Sequence, residues 1–589
     1  MWTGRGQKRR LAFAEAILPL REPRRTDVKV AVILDDFSLL AFAYEWDTVL
    51  VNPATWRRDL ENAGIDLLFV ESAWSGNGGL WRGKISADGG PDDSFKQLLE
   101  WCGTREIPTV FWNKEDPPHY RDFLPAAKLF DHVFTSDQGR VSQYRSDLQH
   151  DRIAVLPFAA QPAIHNPIRP TSGWHHRDVA FAGMYFVHKY PERRQQMELV
   201  LGGALDASAR MPIGLEIFSR QLGGGADYQF PPPLTKRVVG ALTYPQMLTA
   251  YKAYRVFLNV NSVADSTSMC ARRIFEISAS GTPVITAPSA AVGNFFSPRE
   301  VAVAETRLEA EHLCRAFVEN VELNDRTSHM AQRRIWQQHT YAHRAEHVLM
   351  KALPGKSRQI QLPTVSVLVS TIRPNLLDDV FGTVARQRGV DVQLVLLTHG
   401  FELSASRFAE LKRQHGLDNV VLLCAPRSVP LGDCLNTCVE ASAGEVLTKM
   451  DDDDHYGQYY LQDQLFALEY ANADIVGKQA HYMHLKATGA TILRFASMEH
   501  RFTDFVVGPT IMARREAMRA NPFPALGLGE DTGFLRAAGN AGMKIYSSDR
   551  FNYYQLRSGS GHTWKMDDAA LLAAGHVKFY GEPREHVDF

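Results

Sequence analysis

The sequence predicts an α/β protein of several domains, and three observations carry that expectation. Short apolar runs rich in β-branched residues recur along the chain, Val28–Leu34 (VKVAVIL) and Val365–Ser370 (VSVLVS) among them. Helical periodicity, as in Ser94–Cys102, separates such runs. The 589 residues are too many for one hydrophobic core. Strands alternating with helices imply parallel sheets covered on both faces.

Composition narrows the class. The chain is 45% hydrophobic and 22% charged, which is ordinary for a globular protein, and its formal net charge is −1. Nothing global argues for a nucleic acid partner. Six scattered cysteines are too few for a disulfide scaffold and fit a reducing compartment, so a cytoplasmic location is expected. Cys434 and Cys438 are four apart, but no further ligand lies near them, so they read as small buried residues. No apolar run reaches the length of a membrane span.

Residues 1–26 pair basic residues (Arg5, Lys8, Arg9, Arg10, then Arg21, Arg24, Arg25) with the apolar stretch Leu11–Leu20. Glu15 interrupts that stretch and no small-residue cleavage site follows, which argues against a signal peptide. The segment is expected to be a basic amphipathic helix or a frayed tail. Its charge suits at most a peripheral contact with an anionic inner membrane face.

Three α/β sections follow. Residues 27–165 hold strand patterns at Val28–Leu34, Ile65–Val70, Thr109–Trp112 and Val133–Thr135. Residues 166–352 hold Asp178–Ala182, Val256–Val260, a helix over Ala271–Ser280, the strand Pro283–Thr286 and a long helical region over Thr306–Lys351. Residues 353–362, with Pro354-Gly355-Lys356-Ser357, read as a linker. Residues 363–589 begin a further unit with Val365–Ser370, the helix Leu377–Gln387, the strand Gln393–Thr398, the helix Ala405–His415 and the strand Val420–Cys424.

The strongest chemical signal is Asp451-Asp452-Asp453-Asp454-His455, directly after the strand pattern Glu445–Met450. Carboxylates packed this closely repel unless a cation offsets them. Open α/β sheets bind ligands beyond the C-terminal ends of their strands, and carboxylates there suit Mg²⁺ or Mn²⁺ next to a phosphate. A solvated acidic turn or a helix N-terminus is the plain alternative.

Leu447–Asp454 resembles the hydrophobic–Asp–x–Asp–Asp signature of family 2 glycosyltransferases, which have the GT-A fold. Val365–Arg373, Arg427–Ala443 (with Gly432 and Asn436), Gly529-Glu530-Asp531 and His562-Thr563-Trp564 resemble that family's other motifs, in the same order. The resemblance implies a nucleotide-sugar donor contacted by Thr371, Arg373, Asp451 and Asp454. It implies a divalent cation held by Asp451 and Asp453, with His562 a further metal or diphosphate ligand. Asp531 would be the catalytic base, with Glu530 in support, and transfer would invert the anomeric centre. Helix capping is the alternative role for the acidic pair.

The first two sections carry a weaker signal. Ala271–Pro283 (ARRIFEISASGTP), within Leu258–Pro288, resembles the C-terminal domain of CgeB-like glycosyltransferases, a GT-B group. Phe111–Tyr120, Phe134–Asp137 and Phe181–Tyr185 followed by Arg193-Arg194 fit that group's other segments. The resemblance implies Glu276 as ligand of the nucleotide ribose and Arg272 or Arg273 at the diphosphate; a surface salt bridge is the alternative. Glu115, Asp116 and His119 are candidate cleft residues. Many retaining GT-B enzymes carry a second Glu eight positions before the first, and Ser268 stands there in this chain.

The expected fold is therefore two Rossmann-like domains of a GT-B module followed by a GT-A domain. The expected function is a bifunctional transferase using a UDP- or GDP-sugar and Mn²⁺ or Mg²⁺ on a glycan, lipid-linked or protein acceptor, as in building a cell-surface polysaccharide. The alternatives are an active third section served by an acceptor-binding scaffold, a metal-dependent nucleotidyltransferase, and a carbohydrate-binding protein with decayed sites.

Overall fold

A computed structural model describes residues 1–3, 10–86, 90–557 and 566–589. The chain divides into two compact units, Met1–Ile360 and Gln361–Phe589.

The first unit contains two six-stranded sheets. One has the order Trp46–Leu50, Arg25–Ile33, Leu67–Glu71, Thr109–Asn113, His132–Thr135 and Ile153–Val155, with every pair parallel. Val30–Ile33 and Leu67–Val70 are fully buried, as a sheet covered on both faces requires. The other sheet runs Val238–Gly240, Leu215–Phe218, Arg177–Ala182, Tyr254–Asn259, Val284–Thr286 and Ala302–Val303, again all parallel. In each sheet the strand order reverses beside the strand that comes first in the chain, leaving a crevice at the carboxyl ends of two neighbouring strands. The long helical region is three helices, Arg307–Glu319, Val321–Gln338 and Tyr341–Ala352.

The N-terminal segment departs from expectation. No helix forms over residues 12–24. Trp2–Thr3 pairs antiparallel with Arg10–Leu11, and the following arm is extended. Pro19 and Pro23 lack the N–H a helix needs. The arm finds other partners: Phe13 packs on Phe218 and Tyr254, Ala16 N–H donates to the Pro245 carbonyl, and Tyr44 donates to the Pro19 carbonyl. Part of the expected linker is also pinned to the first unit. Pro354–Lys356 is a 3₁₀ turn, Lys356 lies 2.6 Å from Asp66, and Arg358 bonds Asp27 and Glu346.

The second unit is built on a mixed sheet of eight strands. Val420–Ala425, Val392–His399, Val365–Thr371 and Val446–Lys449 are parallel neighbours, and Met512–Arg514 continues antiparallel. Ile475–Gly477, Ile545–Ser547 and Arg501–Thr503 complete it. A separate five-stranded sheet contains His455–Tyr456, Tyr553–Arg557, His481–Leu485, Ala490–Arg494 and Gly575–Tyr580. No helix among the described residues is long and apolar enough to cross a membrane.

Candidate functional site

In the second unit, parallel pairing of Val365–Thr371 with Val446–Lys449 sets Thr371 and Arg373 beside the acidic run. The Thr371 hydroxyl bonds Asp452. Arg373 Nη1 lies 2.8 Å from Asp452 Oδ1 and 2.6 Å from Asp453 Oδ2. Burial alone would disfavour the guanidinium charge, but the flanking carboxylates raise its pKa. Thr371 is buried, so the expected nucleotide contact becomes a peg for Asp452. Asp454 also departs from expectation. It turns toward the other sheet, accepting from the Tyr553 hydroxyl at 2.7 Å and from the Leu556 N–H at 3.3 Å.

Lys449 was not singled out by the sequence, and it joins the two expected centres. Side chains alternate along a strand, so Lys449 and Asp451, two apart, lie on one face. The ammonium sits 3.1 Å from Asp451 Oδ1 and 2.8 Å from Asp531 Oδ2, with a side chain 6% exposed. Burial works against its charge, but Asp451 and Asp531 more than offset this and hold its pKa above the ordinary range. A lysine at the end of a buried strand, two residues before the first carboxylate, is the signal that could have revealed it.

Asp531 is placed by a close approach of backbone. A Cβ on Gly508 would fall 1.8 Å from Asp531 Oδ2, so only glycine leaves room for the carboxylate. With Oδ2 held by Lys449, Oδ1 is buried and has no hydrogen-bond partner. Burial, then the nearby Asp451 charge, raises the Asp531 pKa against the pull of Lys449. Glu530 precedes it at the start of helix Glu530–Asn540, buried, its pKa raised by burial and by Asp531. The loop before this helix is anchored by two residues expected from the sequence. Asn436 and Phe523 exchange hydrogen bonds at 2.8 and 2.9 Å, and a Cβ on Gly432 would lie 1.9 Å from the Pro524 carbonyl oxygen.

The carboxylates at this strand end are the right donors for a hard divalent cation. Asp451 and Asp453 therefore fit the expected metal by chemistry. Among the described residues, however, no three His, Cys, Asp or Glu side chains converge as a ligand group. His562 and the His-x-Trp element lie outside the described residues. Cys434 and Cys438 are buried free thiols.

In the first unit, arginines gather at the switch point of the second sheet. Helix Pro191–Ala207 begins there, and Arg193 in its first turn reaches across to Ser262 at 3.0 Å. Arg193 Nε and Arg273 Nε are buried without a partner. Burial, then repulsion from Arg273, lowers the Arg193 pKa to about 10. Burial lowers that of Arg220 too, with Arg273 and Arg272 adding to it. Cations crowded at a helix N-terminus, with N–H donors unused, have the chemistry that suits an anion.

Glu276, expected at the nucleotide ribose, is enclosed by partners from its own unit. Its side chain is 1% exposed. The Tyr244 and Tyr251 hydroxyls donate to its two oxygens at 2.8 and 2.9 Å, and Arg272 forms an ion pair with it. Burial opposes its charge, yet these partners keep its pKa below the ordinary value. Arg272 thus pairs with Glu276 and lies 3.9 Å from the Phe37 ring, while Arg273 stands close to Arg193 and Arg220. Ser268 is locked as well. Its hydroxyl donates to the Ser136 carbonyl at 2.9 Å and accepts from the Gln138 N–H at 2.7 Å. Asp116 is not a cleft residue. It is fully buried among Asn113, Thr135 and Tyr144, and burial raises its pKa to about 7.

Residues 192–350, which contain this arginine cluster, match the family model described as glycosyl transferase-like. No curated protein sequence matches this chain. Among solved structures, the chain resembles S. aureus TarS 1–349 in complex with UDP-GlcNAc, at 17% identity and a TM-score of 0.28 over 34% of this chain and 60% of that one. It also resembles the mannosyltransferase PcManGT from Pyrobaculum calidifontis in complex with GDP-Man and Mn²⁺, at 14% identity and a TM-score of 0.27 over 34% and 59%. The chain thus spans less than two thirds of either.

Proposed function

We propose that this chain is a glycosyltransferase that carries two nucleotide-sugar sites, one in each unit, and builds a cell-surface polysaccharide or another glycoconjugate. In the second unit an acceptor hydroxyl gives its proton to Asp531. Its oxygen bonds the anomeric carbon as the bond to the nucleoside diphosphate breaks, in one inverting step. The observation that carries this reading is Asp531 itself, anchored through Oδ2 by Lys449 and left with a buried, unpaired Oδ1. An unpaired buried carboxylate oxygen is costly, and an acceptor hydroxyl would satisfy it. Asp451 and Asp453 would hold Mn²⁺ or Mg²⁺, whose charge would offset that of the departing diphosphate. Arg373 pairs with Asp453 and with the neighbouring Asp452.

In the first unit, Arg193, Arg220 and Arg273 take the diphosphate of a second donor without metal, and Glu276 acts by holding Arg272 and the two tyrosines. The closure of Glu276 and the locked Ser268 favour a second reading, in which this unit binds sugars without turning them over.

Asp531→Asn tests the first reading. Donor binding should persist in calorimetry while metal-dependent turnover falls about a hundredfold or more, as expected for a lost general base. Loss of donor affinity with turnover of bound donor intact would make Asp531 a binding residue. For the first unit, Arg273→Ala in the full chain should remove one of two UDP-binding events. Two unchanged events would refute the anion site.

A further inference from the structure

The first sheet of the first unit has its own switch point, between Arg25–Ile33 and Leu67–Glu71. A buried ionic hub sits there. Lys114 Nζ lies 2.7 Å from Asp35 Oδ2 and 3.0 Å from Glu71 Oε1, with side chains 2% exposed for Lys114 and 0% for Glu71. The Gly76 N–H donates to Asp35 at 3.0 Å, the Asp35 N–H to Glu71 at 2.6 Å, and the Glu115 N–H to Ser72 Oγ at 3.2 Å. Burying ions is costly, so a hub of this kind is weak evidence of added stability. What it does here is fasten two strand-end loops to each other, residues 72–76 and 114–119.

Those loops present an aromatic ring to solvent. Trp74 is 43% exposed, although tryptophan is among the more buried residue types. It is held edge-on by His119, with ring centroids 5.1 Å apart at 83°, and by Phe123 at 5.0 Å. His119 is oriented in turn, its Nδ1 lying 2.7 Å from Asp122 Oδ2, which leaves Nε2 as the ring nitrogen available to a ligand. Glu115, half-buried, lies on the same loop.

We propose that Trp74, Glu115 and His119 form a pyranose-binding subsite that receives the acceptor sugar of the first unit. A pyranose has one apolar C–H face and a rim of hydroxyls. The electron-rich face of a fixed indole attracts the polarised C–H groups, while Glu115 and His119 Nε2 bond the rim. The subsite borders the arginine crevice. Phe37 lies between Lys114 on one domain, 4.3 Å from its ring, and Arg272 on the other, 3.9 Å away, and Glu115 is near enough to Arg220 to offset part of the repulsion from the other arginines. This assignment rests on the donor reading of that crevice.

Saturation-transfer difference NMR on the full chain tests it, with the methyl pyranosides of glucose, galactose, mannose and N-acetylglucosamine as probes and UDP as the donor-site reporter. Trp74→Ala should weaken the signal of at least one pyranoside about fivefold or more. Trp74→Phe, which keeps a ring, should restore most of it, His119→Gln should lower it, and the UDP signal should stay unchanged in all three. Pyranoside signals unaffected by Trp74→Ala, or absent while UDP binds, would overturn the subsite and leave the donor reading intact. Absence of both UDP and pyranoside signals from the unmodified chain would sink the two together.

Discussion

Lys449 and Asp531 form a buried ion pair in the second unit. Two unit charges 2.8 Å apart attract by about 6 kcal/mol at an effective dielectric constant near 20. Desolvation of an ammonium only 6% exposed consumes much of that. A charge-assisted hydrogen bond of this kind retains about 1.5–3 kcal/mol net. Lys449→Met should therefore destabilise the second unit by about 2–4 kcal/mol, because it leaves Asp531 and Asp451 without their shared cation. Asp531→Asn should destabilise it less, since Asp451 still pairs with Lys449 at 3.1 Å. The double variant should be more stable than the sum of the single losses, with a coupling energy of about 1.5–3 kcal/mol. Hydrogen exchange in peptides covering Val446–Lys449 and Glu530–Asn540 would measure all four corners of the cycle in the full chain. Losses that add to within about 0.5 kcal/mol would refute a direct contact.

Two further outcomes follow from the geometry. Gly508→Ala places a Cβ where Asp531 Oδ2 now sits, so turnover by the second unit should fall about a hundredfold with far-UV circular dichroism unchanged; turnover within about threefold of the unmodified chain would show that Asp531 can act from another position. Acid should weaken the first unit through His165. This residue is fully buried, its Nδ1 accepts from the Gln161 N–H at 2.9 Å, and burial lowers its pKa to about 4 from an ordinary 6.5. A folded-state pKa below the unfolded one means that the unfolded chain binds the extra proton. The stabilisation is thus complete above about pH 6.5 and is lost as pH falls toward 4, at about 1.4 kcal/mol per pH unit. Hydrogen exchange near residues 161–168 should follow that slope, and His165→Gln should flatten it; an unchanged slope in the variant would assign the acid sensitivity elsewhere.

Much of the fold was legible in the sequence because buried parallel strands write themselves as short β-branched apolar runs. Val28–Leu34, Thr109–Trp112 and Val365–Ser370 each lie in a sheet strand close to the expected bounds. Less legible were the short strands Leu215–Phe218 and Val238–Gly240 and the five-stranded sheet, in which the hairpin of His481–Leu485 and Ala490–Arg494 is local but the other pairings join strands far apart in sequence. The arm over residues 12–24 is extended because Pro19 and Pro23 oppose a helix and because its partners Phe218, Tyr254 and Pro245, more than two hundred residues away, are brought to it by the fold.

For the sites, the sequence by itself determined which carboxylates stand at the strand end and which acidic pair opens the later helix, since both are local patterns at an element boundary. It also marked Gly432 and Asn436, whose roles are to admit and hold the loop before that helix. Only the tertiary structure decided the state of each charge. Lys449 bridges Asp451 and Asp531 across 80 residues of chain, Asp454 turns away to Tyr553, and Glu276 is sealed by Tyr244, Tyr251 and Arg272. The same holds for Arg220 beside Arg273 and for Trp74 against His119. A side chain's chemical type is written locally, but its free energy of ionisation and its availability to a ligand depend on burial and on neighbours brought by other strands, and those are properties of the packed molecule.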